Sequence, residues 1–96
     1  MLEPFAVMVH RIDIGRQAVP TIEFQGLLDG AALFEIRRHV RGLTLAKPYA
    51  RVRLVLKTGT EVDPSCVDAL RQLDAVDLVA EAGFLARWLG AEPRPQ

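Results

Sequence analysis

Apolar and polar residues alternate twice near the start of the chain. Val7, Val9, Ile12 and Ile14 alternate with other residues on either side of a break at His10-Arg11, which predicts one strand over 5–14 with a bulge at the break. Thr21 to Gln25 alternates again after the turn-forming "GRQA", so the two runs predict an antiparallel hairpin. Pro20 suits the start of the second strand, where its missing N–H breaks no ladder bond, and Gly26 is expected to end that strand. The period then lengthens. Ala32, Ile36, Val40 and Leu43 recur on one helical face, with Glu35, Arg38 and His39 off it. Asp29 is the expected N-cap, and the helix is predicted to end near Gly42.

A polar loop, "TLAKPYAR", leads to Val52–Leu56, whose β-branched and apolar run predicts a buried central strand. After the loop "KTGTEVD", Pro64 fits the first position of a second helix, and Asp63 before it can accept the free amide hydrogens of the first turn. Cys66, Ala69, Leu70 and Leu73 follow at i, i+3, i+4 and i+7, so Cys66 opens the apolar stripe and Ser65 points elsewhere. Val76 and the "LVA" run predict a short fourth strand. A last helix is expected from Glu81 to Leu89, burying some of Phe84, Leu85, Trp88 and Leu89, with 91–96 as a frayed tail. The order strand, strand, helix, strand, helix, strand, helix predicts one α/β domain over 1–96. It would hold a mixed sheet with an opening hairpin and right-handed crossovers, its helices on one face or split between two.

Composition narrows the classes of function. With 96 residues, half of them apolar, the chain suffices for one modest core and not for two. Twelve basic and twelve acidic residues cancel, and the one cluster, Arg37, Arg38, His39 and Arg41, spreads around the polar side of a helix, so no nucleic-acid partner is expected. Glu3 and Pro4 stand where a secretory signal carries basic residues. No apolar stretch approaches the roughly 20 residues that span a bilayer, so a cytoplasmic protein without membrane insertion is expected. A single cysteine agrees with a reducing compartment. His10 and His39 have no Cys, His or Asp at ligand spacing, so neither a metal nor a cofactor is expected.

The stretch "VDPSC", 62–66, gathers the reactive groups. Cys66 near a helix start is a candidate nucleophile. A phosphatase loop, however, needs an arginine six positions after its cysteine, where this chain has Gln72, and Arg71 misses by one. The loop also lacks glycines that would converge amides on an anion. A free cysteine on an apolar stripe reads most simply as core, and Phe84 and Trp88 read the same way unless an exposed Trp marks a docking patch.

"GLLD", 26–29, leads into the first helix and "VDPSC" into the second, and this arrangement resembles the STAS family of sulfate-transporter and anti-sigma-factor-antagonist domains. Gly26, Leu28 and Asp29 match that family's "GELD", Leu54 and Leu56 match its "VVLDLS" strand, and Val62, Asp63 and Ser65 match its "IDSSGL". The likeness covers nearly the whole chain. It implies a STAS-like fold and a non-enzymatic, bacterial regulatory module that binds another protein. Ser65 would be the phosphoacceptor, and contact would run through Thr58, Gly59, Thr60, Glu61, Asp63, Pro64, Ser65 and Cys66. The partner implied is an anti-sigma-factor kinase, whose phosphorylation of the serine blocks binding in a partner-switching cycle. A second branch implies a constitutive docking subunit on a lipid-transporting ABC complex. Three positions depart from the pattern: Val55 replaces the strand aspartate near the regulated serine, Pro64 the first serine, and Cys66 a glycine. The stretch from Ser65 to the next strand is shorter than usual, which implies a trimmed second helix.

Overall fold

The computed structural model describes residues 10–16, 19–46, 51–90 and 92–93. Strands β1 (His10–Arg16) and β2 (Pro20–Leu28) precede helix α1 (Gly30–Ala46) and strand β3 (Val52–Leu56). A two-residue strand β4 (Glu61–Val62), a 3-10 turn (Pro64–Cys66) and a short helix α2 (Val67–Arg71) follow, then β5 (Val76–Ala80), α3 (Gly83–Leu89) and β6 (Glu92–Pro93). The sheet runs β1-β2-β3-β5-β6, with β4 paired to the far end of β2. β1 is antiparallel to β2, and every other pairing is parallel. The result is an α/β fold with a mixed sheet and three helices, as the strand-and-helix order predicts.

Alternation decides which sheet face is apolar. Ile22, Phe24 and Leu28 of β2, Val52, Leu54 and Leu56 of β3 and Ala80 of β5 share one face and one buried cluster with residues from all three helices. The helices therefore lie together on that face. The opposite face carries Arg11, Asp13, Thr21, Glu23, Gln25, Arg53, Lys57 and Asp77, with Val55 and Val79 buried among them in register. Among the described residues, no helix is long and apolar enough to cross a membrane.

Several boundaries differ from expectation, each for a physical reason. Gly15 and Arg16 belong to β1 and pair with Thr21 and Pro20 instead of forming the turn, and the register from His10 to Arg16 is continuous, without a bulge at His10-Arg11. The portion of the expected strand before His10 lies outside the described residues. Gly26 does not end β2. It sits at φ +118°, the last residue of β2 paired with β1; pairing with β4 begins at Leu27, and Leu28 is fully buried. α1 continues past Gly42 to Ala46 because Leu43 falls on the stripe of Ile36 and Val40 and is buried with them. A helical glycine costs about 1 kcal/mol, whereas burying a leucine returns about 2 kcal/mol. α3 starts at Gly83 rather than Glu81 and buries Leu85, Ala86 and Leu89, leaving Phe84 62% and Trp88 45% exposed. Phe84 and Trp88 are thus surface residues, not core. In the expected frayed tail, Glu92–Pro93 pairs with β5 as β6, and 91 and 94–96 lie outside the described residues.

Candidate functional site

The parallel strands β2, β3 and β5 have their carboxyl ends on the same side of the fold, and the segments that leave them there build the candidate site. At the end of β2, Asp29 caps α1: its Oδ1 accepts the Ala32 amide at 3.0 Å. At the end of β3 the chain makes a tight turn, with the Thr60 amide donating to Lys57 O at 3.1 Å and Gly59 at φ +92°. That left-handed position is the one where a Cβ is costly, and glycine fills it. At the end of β5, the Glu81 amide donates to Leu56 O at 3.0 Å.

Side chains pin this turn from three directions. Thr58 donates its amide and its hydroxyl to Glu81 Oε1, at 2.8 and 3.3 Å. Gln25 Nε2 donates to Thr58 O at 2.9 Å. The buried Thr60 hydroxyl donates to Phe24 O at 3.2 Å. Gln25 and Glu81 were not among the expected site residues. Their partners are remote in sequence, and nothing in local spacing announces either bond.

Glu61 then lies exposed beside Leu27 in the β2–β4 pairing, and the chain enters the segment containing Ser65. The Asp63 amide donates to Leu28 O at 3.0 Å, and the Cys66 amide donates to Asp63 O at 2.8 Å. Asp63 has the extended backbone of an N-cap, and Pro64 occupies the first helical position. Asp63 Oδ1 accepts both the Ser65 amide at 3.0 Å and the Ser65 hydroxyl at 2.9 Å. These two bonds, the backbone one first, hold the Asp63 carboxyl below its usual range because they stabilise the charged form. The expected second helix is split. A 3-10 turn carries Pro64, Ser65 and Cys66, and only five α-helical residues follow, which agrees with the trimmed helix.

The expected contact residues therefore divide. Thr58, Gly59, Glu61, Pro64 and Ser65 are exposed and Asp63 is partly so. Thr60 and Cys66 are buried beneath them. Cys66, 5% exposed, belongs to the main core cluster, as its place on the apolar stripe predicts. Among the described residues, no group of three or more His, Cys, Asp or Glu side chains gathers to hold a metal ion. Arg37, Arg38 and Arg41 are exposed on α1, where Glu35 meets Arg38 at 3.4 Å and His39 at 3.9 Å.

Among the described residues, one cavity of about 360 Å³ is lined by Leu70, Val76 and Leu89 among others, and another of about 140 Å³ by Arg11, Asp13, Glu23, Gln25 and Lys57, so Gln25 belongs both to this cavity and to the braced turn. The turn at Thr58 is braced by Gln25 and Glu81, and the exposed Ser65 is held by the Asp63 cap. No family model, curated protein or solved structure matches the chain, so this reading rests on the residues themselves.

Proposed function

We propose that this chain is a non-enzymatic, STAS-like protein-binding module that docks a partner through the edge formed by Thr58 to Ser65. The observation that carries the reading is the Ser65 hydroxyl: it is exposed, and it donates to the carboxylate that caps its own turn. Phosphorylation there removes the donor and sets about two negative charges against Asp63. The cap is then repelled by the group it held, and the docking edge changes shape and charge together. A partner that reads the unmodified edge is released, as the resemblance to anti-sigma-factor antagonists implies, and an anti-sigma-factor kinase is the partner of that class.

The burial of Cys66 supports binding over thiol chemistry, because a nucleophilic thiolate requires access that a core position denies. A second reading, a constitutive docking subunit of a lipid-transport or other assembly, is favoured by Val55. This residue is apolar and buried where the family's regulated members carry an acidic group.

Affinity capture from the native host with mass spectrometry tests both readings. Wild type and Ser65→Ala are expected to retain the same partner, and Ser65→Glu to lose it, with phosphate found on Ser65 in the unbound wild-type fraction. Retained binding with Ser65 never modified selects the constitutive reading. A partner set indifferent to Ser65→Glu and to Glu61→Lys overturns the proposed site.

A further inference from the structure

The two edges of the sheet are built differently. β6 closes one edge with two residues, one of them Pro93, which has no N–H to offer. β1 forms the other with seven residues, containing no proline and no bulge, and among the described residues no strand lies outside it. Alternate backbone N–H and C=O groups of β1 thus face outward as a template for another strand. On its helix side, Ile12 and Ile14 pack against the core yet are only partly buried. On its other side, Arg11 and Asp13 are both well exposed and lie 3.1 Å apart within the chain.

We propose that β1 pairs with β1 of a second copy, antiparallel and centred on Ile12, joining the two sheets into one. The charge pattern selects this register. A twofold axis perpendicular to the sheet keeps both helix layers on the same side and places residues of like face opposite one another. With Ile12 on the axis, Arg11 of each copy faces Asp13 of the other, Ile12 meets Ile12, and His10 meets Ile14. Moving the axis to Arg11 or to Asp13 sets like charges directly opposite, which is unfavourable. The helix-side residues then extend both cores across the junction and cover the apolar surface that Ile12 and Ile14 leave open. β1 contributes none of the residues from Thr58 to Ser65, so each copy in a dimer keeps its own docking segment.

Sedimentation velocity over a range of protein concentration, with circular dichroism to verify folding, tests the inference. Wild type is expected to dimerise reversibly. Asp13→Arg alone and Arg11→Asp alone each convert both cross-strand pairs to like charges and weaken the dimer by about a hundredfold, roughly tenfold per pair. Mixing the two single variants restores complementarity and yields a heterodimer, and the double variant Arg11→Asp/Asp13→Arg dimerises again with itself. A wild-type chain that stays monomeric, or single variants that dimerise as wild type does, overturns the proposal.

Discussion

The Asp63 carboxylate receives two hydrogen bonds from one neighbour, the amide and the hydroxyl of Ser65, and its proton affinity records them. Its folded-state pKa lies below the ordinary value of 3.8, so the unfolded chain binds this proton more tightly than the folded one. The stabilisation is complete above the unfolded value and is lost as pH falls through the lower folded one. Urea unfolding of wild type and Asp63→Ala is therefore expected to differ at neutral pH, with wild type the more stable, and the gap is expected to close in strong acid. An unchanged gap in acid would show that the charged cap is not its source. Cys66 gives a second measurement at the same scale. Its thiol is expected to label only as fast as the chain opens, and Cys66→Ser to cost about 2 kcal/mol by burying a hydroxyl without a built partner. Both roles were legible in the sequence because a cap and a helical stripe are defined within a few residues. The brace by Gln25 and Glu81 was not legible, since its bonds span separations of 33 and 23 residues.

At the level of elements, the two glycines of α1 and of the turn after β3 call for opposite substitutions. Gly42 lies within α1 with nothing within 4 Å of where a Cβ would stand, so Gly42→Ala is expected to stabilise by about 1 kcal/mol through helix propensity. Gly59 also has room, its nearest neighbour being Gln25 Nε2 at 3.7 Å, but its φ of +92° strains any L side chain. Gly59→Ala is expected to destabilise by about 1 kcal/mol. Thermal melts of the two variants should move in opposite directions, and a shared direction would contradict one of the two conformations. The same comparison explains why element cores were readable and their ends were not. The stripe through Ile36, Val40 and Leu43 announced α1, but the glycine beside Leu43 read as a stop, although the helix runs on to Ala46 with Leu43 buried. In α3, Phe84 with Trp88 and Leu85 with Leu89 offer two adjacent apolar diagonals, and the pattern alone does not choose between them. β4 is invisible for a different reason: two residues are too few to alternate.

For the molecule as a whole, the apolar run of β3 suggested a strand covered on both sides and left the placement of the helices open. The structure puts all three on one side, and Val55 and Val79 are nonetheless buried on the other. One core thus links the sheet to every helix, which carries a consequence for cooperativity. Leu54 in the middle of β3 is fully buried in the same cluster as Leu85, Ala86 and Leu89 of α3. Trp88, the single tryptophan, lies on α3 and is 45% exposed, so its fluorescence reads the state of that helix and its surroundings. Leu54→Ala is expected to cost about 3 kcal/mol, a large share of the roughly 5–15 kcal/mol that holds a domain of this kind. If the core is shared, the urea midpoint read by Trp88 fluorescence falls by the same amount as the midpoint read by far-UV circular dichroism, although the mutation lies in the sheet and the probe on a peripheral helix. If α3 were an independent flap on the sheet, the fluorescence midpoint would stay where it was while the dichroism midpoint moved. The packing of Leu85, Ala86 and Leu89 against the strands predicts that the two move together.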